Sequence, residues 1–392
     1  MRLADRMNRF GASPTMAAKQ AAALLRARGE SIIDLSVGEP DFPTPEHVVA
    51  AAQAALENGK THYTAAAGLP ALREALATYL SGIAGVGIDA DRVVVTCGGK
   101  SALLYVILAL VQAGDEVVIP APCWVSFPDQ VRLAGGEPVL VPGRAESGFG
   151  PDVAALGAAL TDRTRLMIVN SPVNPTGAVM RPGDWPELIA VCRRRGVILL
   201  SDETYNELVH DDGPIDTILK HAGGSDEGVV IVNSFSKTWS MTGWRVGYVC
   251  GPLPLVRAVT RLQSQDTTHP ATFAQHGAIA ALTGPGDATM MMRSEYRRRC
   301  RLMLDELRTL AGFSCAPPRG AFYLFPDVTG AMERKSCADD GEFADRLLHE
   351  AHVAVVAGSA FCGPGCVRMS YAVADDDLHE AMRRIREWLA SS

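Results

Sequence analysis

With 392 residues and 47% hydrophobic side chains, the chain exceeds what one simple core accommodates, and two domains are expected. A formal net charge of −7 and a pI near 5.8 argue against nucleic acid or an acidic membrane as partners. Nine cysteines, an odd number at irregular spacing, read as reduced thiols; with no apolar signal segment after Met1 and no run of membrane-spanning length, a cytoplasmic protein is expected.

From about residue 93 to 250, apolar runs alternate with helical patterns. The runs are 93–95, 116–119, 166–169, 197–200, 229–232 and 248–250, and their spacing predicts a mostly parallel sheet with helices on both faces. A helix is predicted over 102–111, behind the turn Gly98-Gly99-Lys100-Ser101. A long charged helix over 293–310 leads into a second unit, with short strands near 321–325, 353–356 and 367–370 and a last helix over 376–389. There is no internal repeat, low-complexity tract or appended helix-turn-helix pattern.

Three loops that follow apolar runs carry the chemistry. Asn170-Ser-Pro-Val-Asn174-Pro-Thr-Gly177 is rich in turn formers, and Ser201-Asp202-Glu-Thr-Tyr205 ends a predicted buried strand. Ligands of open α/β sheets bind at that edge. The third loop, Asn233-Ser-Phe-Ser-Lys237-Thr-Trp-Ser-Met-Thr-Gly-Trp-Arg245, sets one lysine among hydroxyls with an arginine eight residues on.

This is the layout of a site for pyridoxal 5'-phosphate (PLP). That cofactor needs an amine for a Schiff base with its aldehyde, and donors plus a fixed positive charge for its phosphate. Lys237 is the candidate amine, and Ser234, Ser236 and Arg245 the candidate phosphate grip. Asp202 suits the pyridine nitrogen, and Asn174 and Tyr205 the phenolic oxygen. Taken singly, each has a plainer reading: a solvated Lys-Arg loop, an Asp202 that caps a helix, a structural turn at Pro175 and Gly177. Their joint appearance at successive strand ends favours the cofactor. Gly99 opens a helix whose free amides suit a phosphate, whereas a P-loop would need glycine where Val94 stands. His349-Glu-Ala-His352 and the Cys362/Cys366 pair lack zinc-site spacing, so no metal is expected.

These motifs, with Val37-Gly38-Glu-Pro-Asp-Phe42, Tyr63, Gly68, Leu72-Arg73, Trp124 and Val367-Arg368-Met-Ser-Tyr371, span nearly the whole chain. Together they resemble the class I/II, fold-type I PLP-dependent aminotransferases, most closely the bacterial aspartate aminotransferase branch. The resemblance implies an α/β fold, with a mostly parallel sheet flanked by helices in a large PLP-binding domain (45–284). The smaller α+β domain would be built from 1–44 together with 285–392. It implies that Lys237 both anchors the cofactor and shuttles the substrate α-proton, and that Trp124 lies against the cofactor ring. Arg368, with the Gly38 backbone and Asn174 alongside, would hold the substrate α-carboxylate as a bidentate pair. Tyr63 is similar to the tyrosine that reaches the phosphate from the neighbouring subunit of a homodimer.

The implied activity is ping-pong transamination between an L-amino acid and a 2-oxoacid, with aspartate and 2-oxoglutarate as the leading pair. Lys100 matches the lysine that meets a distal carboxylate in the related bacterial enzymes. Relatives acting on prephenate carry a lysine where this chain has Gly11, which argues against that substrate. A PLP lyase or cyclase on the same scaffold stays open, as does an aminotransferase for another amino acid in a specialised pathway, because pocket contacts decide the reaction course.

Overall fold

The computed structural model describes residues 1–223 and 228–391. Its strands in chain order are β1 (Ile33–Asp34), β2 (Val93–Thr96), β3 (Glu116–Ala121), β4 (Glu137–Pro142), β5 (Thr164–Asn170) and β6 (Ile198–Asp202). They continue with β7 (Val229–Ser234), β8 (Gly247–Cys250), β9 (Tyr323–Leu324), β10 (Val353–Ala354), β11 (Val356–Ala357) and β12 (Val367–Ser370).

Seven of these form the central sheet, in the order β2-β8-β7-β6-β5-β3-β4. The run from β4 to β7 is parallel, and β8 is antiparallel to both neighbours. The strands are apolar on both faces because helices cover both. Val95, Met167, Val169, Leu199 and Ile231 pack on one side with Leu72, Leu76 and Leu188. On the other side Val94, Leu166, Ile168, Leu200 and Val230 pack with Leu103, Val106 and Val259. This alternation along buried strands is the signature of a sheet covered on both sides.

Two features depart from the sequence-based pattern. β4 lies in a stretch where no strand is predicted, since Pro138 and Pro142 resemble loop residues; it forms the sheet edge, where prolines cost no ladder bond. The second is the direction of β8. Residues 235–246 separate it from β7 and hold only the short helices Phe235–Thr238 and Thr242–Trp244, so no crossover helix forms and the chain turns back. That excursion contains Lys237 and Arg245.

The predicted helix over 102–111 is Gly99–Leu110, and the long helix is Asp287–Leu307, beginning earlier than its charge pattern suggests. β9, β11 and β12 make a small antiparallel sheet, and β1 pairs in parallel with β10. Ile33 and Leu35 share a hydrophobic cluster with Tyr296, Met303, Phe322, Phe343, Met369 and Ile385, so the N-terminal stretch packs with the C-terminal part of the chain. Among the described residues no helix is long and apolar enough to cross a membrane.

Candidate active site

Parallel pairing aligns the strand ends: Asn170 at the end of β5 sits beside Asp202 at the end of β6, and Asp202 beside Val232 of β7. The three motif loops therefore open onto one cavity of about 300 Å³. Gly99, Lys100 and Trp124 line it, as do Asn174, Asp202 and Tyr205. Ser234, Ser236, Lys237 and Arg245 contribute from the β7–β8 excursion, and Gly38 and Arg368 from outside the sheet. Of the sequence-predicted site residues, Tyr63 alone lies elsewhere. It is 88% exposed, edge-on to His269 at 5.7 Å, in a separate concavity with Leu56 and Phe273.

Lys237 is carried by the short helix Phe235–Thr238, and its Nζ donates to the Gly38 carbonyl. Removal of the ammonium from water pushes its pKa down to about 8; the Glu39 carboxylate opposes that shift, and Arg368 and Arg245 add to it. A lysine so placed is a neutral nucleophile at only mildly alkaline pH.

Asp202 is 5% exposed, and its Oδ1 accepts from the Thr204 N–H at 3.1 Å. The carboxylate caps a turn, and no regular helix follows it. Burial pushes its pKa up to about 6, with the Thr204 bonds partly offsetting this. Around it, Asn170 Nδ2 donates to the Asp202 carbonyl at 3.0 Å, and Asn170 Oδ1 accepts from the Asn174 N–H at 2.8 Å. The Tyr205 and Tyr323 hydroxyls are hydrogen-bonded at 2.9 Å, and burial raises the Tyr205 pKa well above the ordinary phenol range.

The opposite end of the cavity is shaped by close backbone approach. Gly98 has φ +86°, and a Cβ on it would stand 2.4 Å from Arg245 Nη2. A Cβ on Gly247 would stand 2.5 Å from Gly99 N. The positive φ at Gly98 and the backbone contact at Gly247 disfavour any side chain there, and the N-terminus of helix Gly99–Leu110, Ser234, Ser236 and the Arg245 guanidinium line the same cavity. Exposed amides at a helix start together with a guanidinium make an anion site.

Arg368, on β12, is 2% exposed. Its Nη1 donates to Asn174 Oδ1 at 3.0 Å and its Nη2 to the Ser36 carbonyl at 2.7 Å. The guanidinium lies 4.4 Å from the Tyr323 ring centroid and 4.8 Å from that of Phe361. Its Nε is buried without a partner among the described residues, a donor left for an incoming acceptor. Lys100 Nζ stands 5.0 Å over the Trp124 ring at the accessible mouth of the cavity; desolvation, then Arg245, lowers its pKa.

Several wall residues carry no sequence-based assignment. Tyr323 lies in a segment read only as a strand, and Thr204 and Asn170 sit inside quoted motifs without a role. Ser13, Thr15 and Lys19 come from the N-terminal helix Pro14–Ala27 and its cap, which has no local signature of a site. Glu39 joins Lys19 and Thr242 across the cavity, each at 3.0 Å.

A buried lysine, a buried carboxylate without a cation, a donor-lined anion cradle and an arginine with a free Nε fit the amine, pyridine nitrogen, phosphate and substrate-acid needs of PLP chemistry. The fold and the cavity thus define a PLP-binding enzyme of the α/β class. The chain belongs to the aminotransferase class I and II family, whose model matches residues 30–385, and it is a PLP-dependent aminotransferase. It is 41% identical to the aspartate aminotransferase of Geobacillus stearothermophilus, covering 99% of each chain. The aspartate/prephenate aminotransferase of Cereibacter sphaeroides is also 41% identical, with 99% of this chain and 98% of that one covered. Among solved structures, aspartate aminotransferase from Thermus thermophilus with maleate superimposes with a TM-score of 0.94 at 40% identity, over 99% of this chain and 100% of that one.

Proposed function

We propose that this aminotransferase moves the amino group between L-aspartate and 2-oxoglutarate. The observation that carries the reading is a pair of cations, Lys100 and Arg368, facing one cavity. A substrate with a carboxylate at each end satisfies both, whereas a neutral side chain would gain nothing from Lys100. The relatives named as aspartate aminotransferases, and the Thermus enzyme's association with maleate, a dicarboxylate, support it. Gly11 brings no side chain towards the cavity, so prephenate is not part of the proposal.

The residues divide the work as follows. Lys237 Nζ would tether PLP, and the same amine would take the substrate α-proton and return it. PLP, when bound, supplies an electron sink for the substrate α-carbon. Asp202 would keep its pyridine nitrogen protonated, and Asn174, Tyr205 and Trp124 would hold the phenolic oxygen and the ring. The backbone amides at Gly99 and Lys100, with Ser234, Ser236 and Arg245, would surround the phosphate end. Arg368 and Asn174, beside the Gly38 carbonyl, orient the α-carboxylate so that the α-proton faces Lys237.

The active enzyme is a cytoplasmic homodimer with shared sites, each protomer dividing into residues 45–284 and 1–44 with 285–392. Tyr63, Leu56 and Phe273 form an exposed aromatic and apolar patch that a second copy would cover, carrying the Tyr63 hydroxyl to the neighbouring phosphate end. A panel of amino donors with 2-oxoglutarate tests the substrate claim. L-aspartate should give the highest kcat/KM; neutral donors that outrun it would overturn the dicarboxylate reading and leave transamination standing.

A further inference from the structure

Cys123 lies in the turn after β3 that carries Trp124, and Cys362 ends the short turn Gly358–Phe361 that precedes β12. The two turns are in contact. The Cys123 N–H donates to the Phe361 carbonyl at 2.8 Å, and a Cβ on Gly363 would stand 2.8 Å from Pro122 Cγ. These contacts set Cys362, the neighbour of Phe361 in the chain, against the Cys123 turn, and each thiol shifts the pKa of the other, up for Cys123 and down for Cys362. Cys123 is 3% exposed and Cys362 half-buried, so Cys362 is the one of the two that meets solvent. Neither has a role in the transamination described above.

The charges around the pair are unequal. The neighbouring Cys123 thiol, and after it the Arg132 guanidinium, lower the Cys362 thiol to a pKa of about 7 despite burial and the opposing Asp129 carboxylate. Burial instead pushes up the thiols of Cys192, Cys250, Cys300, Cys315, Cys337 and Cys366. Thiolate character and access select the cysteine that reacts first.

We propose that Cys123 and Cys362 are a redox-active dithiol that a hydroperoxide converts reversibly into an intramolecular disulfide, fastening the Trp124 turn to the Phe361 turn beside the substrate site. In the first step the Cys362 thiolate attacks the peroxide oxygen; the O–O bond breaks, hydroxide or alkoxide leaves and takes up a proton, and Cys362 becomes a sulfenic acid. In the second, Cys123 sulfur attacks Cys362 sulfur, the S–O bond breaks, and water departs with the Cys123 proton. The peroxide is reduced by two electrons and the two thiols are oxidised by two. Because Phe361 packs on Arg368 and Lys100 stands over Trp124, the bridge would span two walls of the cavity.

The PLP-loaded enzyme is treated with hydrogen peroxide at neutral pH, alkylated without reduction and mapped by mass spectrometry. Fragment ions must separate Cys362 from Cys366, which share a tryptic peptide. The expected result is the loss of two thiols of the nine, a Cys123–Cys362 cross-linked peptide, and full recovery of both thiols with dithiothreitol. In Cys123→Ser, dimedone should trap a sulfenic acid at Cys362; in Cys362→Ser, Cys123 should stay reduced. First oxidation at another cysteine, over-oxidation of Cys362 with Cys123 intact, or an intermolecular bridge in its place would overturn the proposal.

Discussion

Replacing Asp202 by asparagine should stabilise the cofactor-free protein while crippling the loaded one. In the cofactor-free fold the carboxyl is buried with no cation paired to it among the described residues, and its pKa rises from the ordinary 3.8 to about 6. A group whose folded pKa is raised contributes stability below its unfolded pKa and loses it as pH climbs through the folded value. Integrated over that window, ionised Asp202 costs about 3 kcal/mol at pH 7.5 and about half that at pH 5. Asparagine keeps an oxygen that accepts from the Thr204 N–H, so the substitution removes the charge with little else. Urea unfolding of the cofactor-free proteins at the two pH values measures the gap. The variant should unfold at higher urea, by more at pH 7.5 than at pH 5, and with PLP bound it should turn over far more slowly, having lost the counter-charge of the pyridinium. A variant less stable than the parent, or a gap indifferent to pH, would refute the reasoning.

Three further outcomes follow from the same geometry. Because the Lys237 pKa is lowered to about 8 and the neutral amine is the nucleophile, the rate of PLP capture should rise with pH up to about 8 and level off above it, followed by absorbance; a rise continuing towards 10.5 would contradict that placement. Arg368→Lys replaces a planar fork by a point charge in a buried slot between two rings, so kcat/KM for every amino acid should fall by about 100-fold or more, and a loss confined to acidic substrates would be the wrong pattern. Lys100→Ala should lower kcat/KM for aspartate by roughly 10- to 100-fold, the worth of a charged hydrogen bond, and leave neutral donors nearly unchanged; an equal loss for both would return Lys100 to a purely structural role.

Much of the large sheet was legible because its strands are buried on both faces and so appear as unbroken apolar runs, with the chemistry placed just after them. β4 escaped because an edge strand tolerates prolines that a central one cannot. The direction of β8 depends on the twelve residues before it folding into a turned-back excursion and not into a crossover helix, which local composition does not display. Residues at strand ends, such as Asp202 and Lys237, carried position and chemistry together. Tyr323, Ser13 and Lys19 did not: they reach the cavity from elements far away in sequence, and only the packing of the first and last parts of the chain brings them there. Tyr63 differs again, since one protomer's fold leaves it on the surface and its proposed task lies in a second copy.

Borohydride reduction of the PLP-loaded enzyme followed by peptide mapping tests the assignment of the cavity most directly. The pyridoxyl group should be found on Lys237 Nζ alone, and prior addition of L-aspartate, which takes up the cofactor's aldehyde carbon, should prevent the attachment. A pyridoxyl group on any other lysine, or labelling of Lys237 that aspartate leaves unchanged, would contradict it.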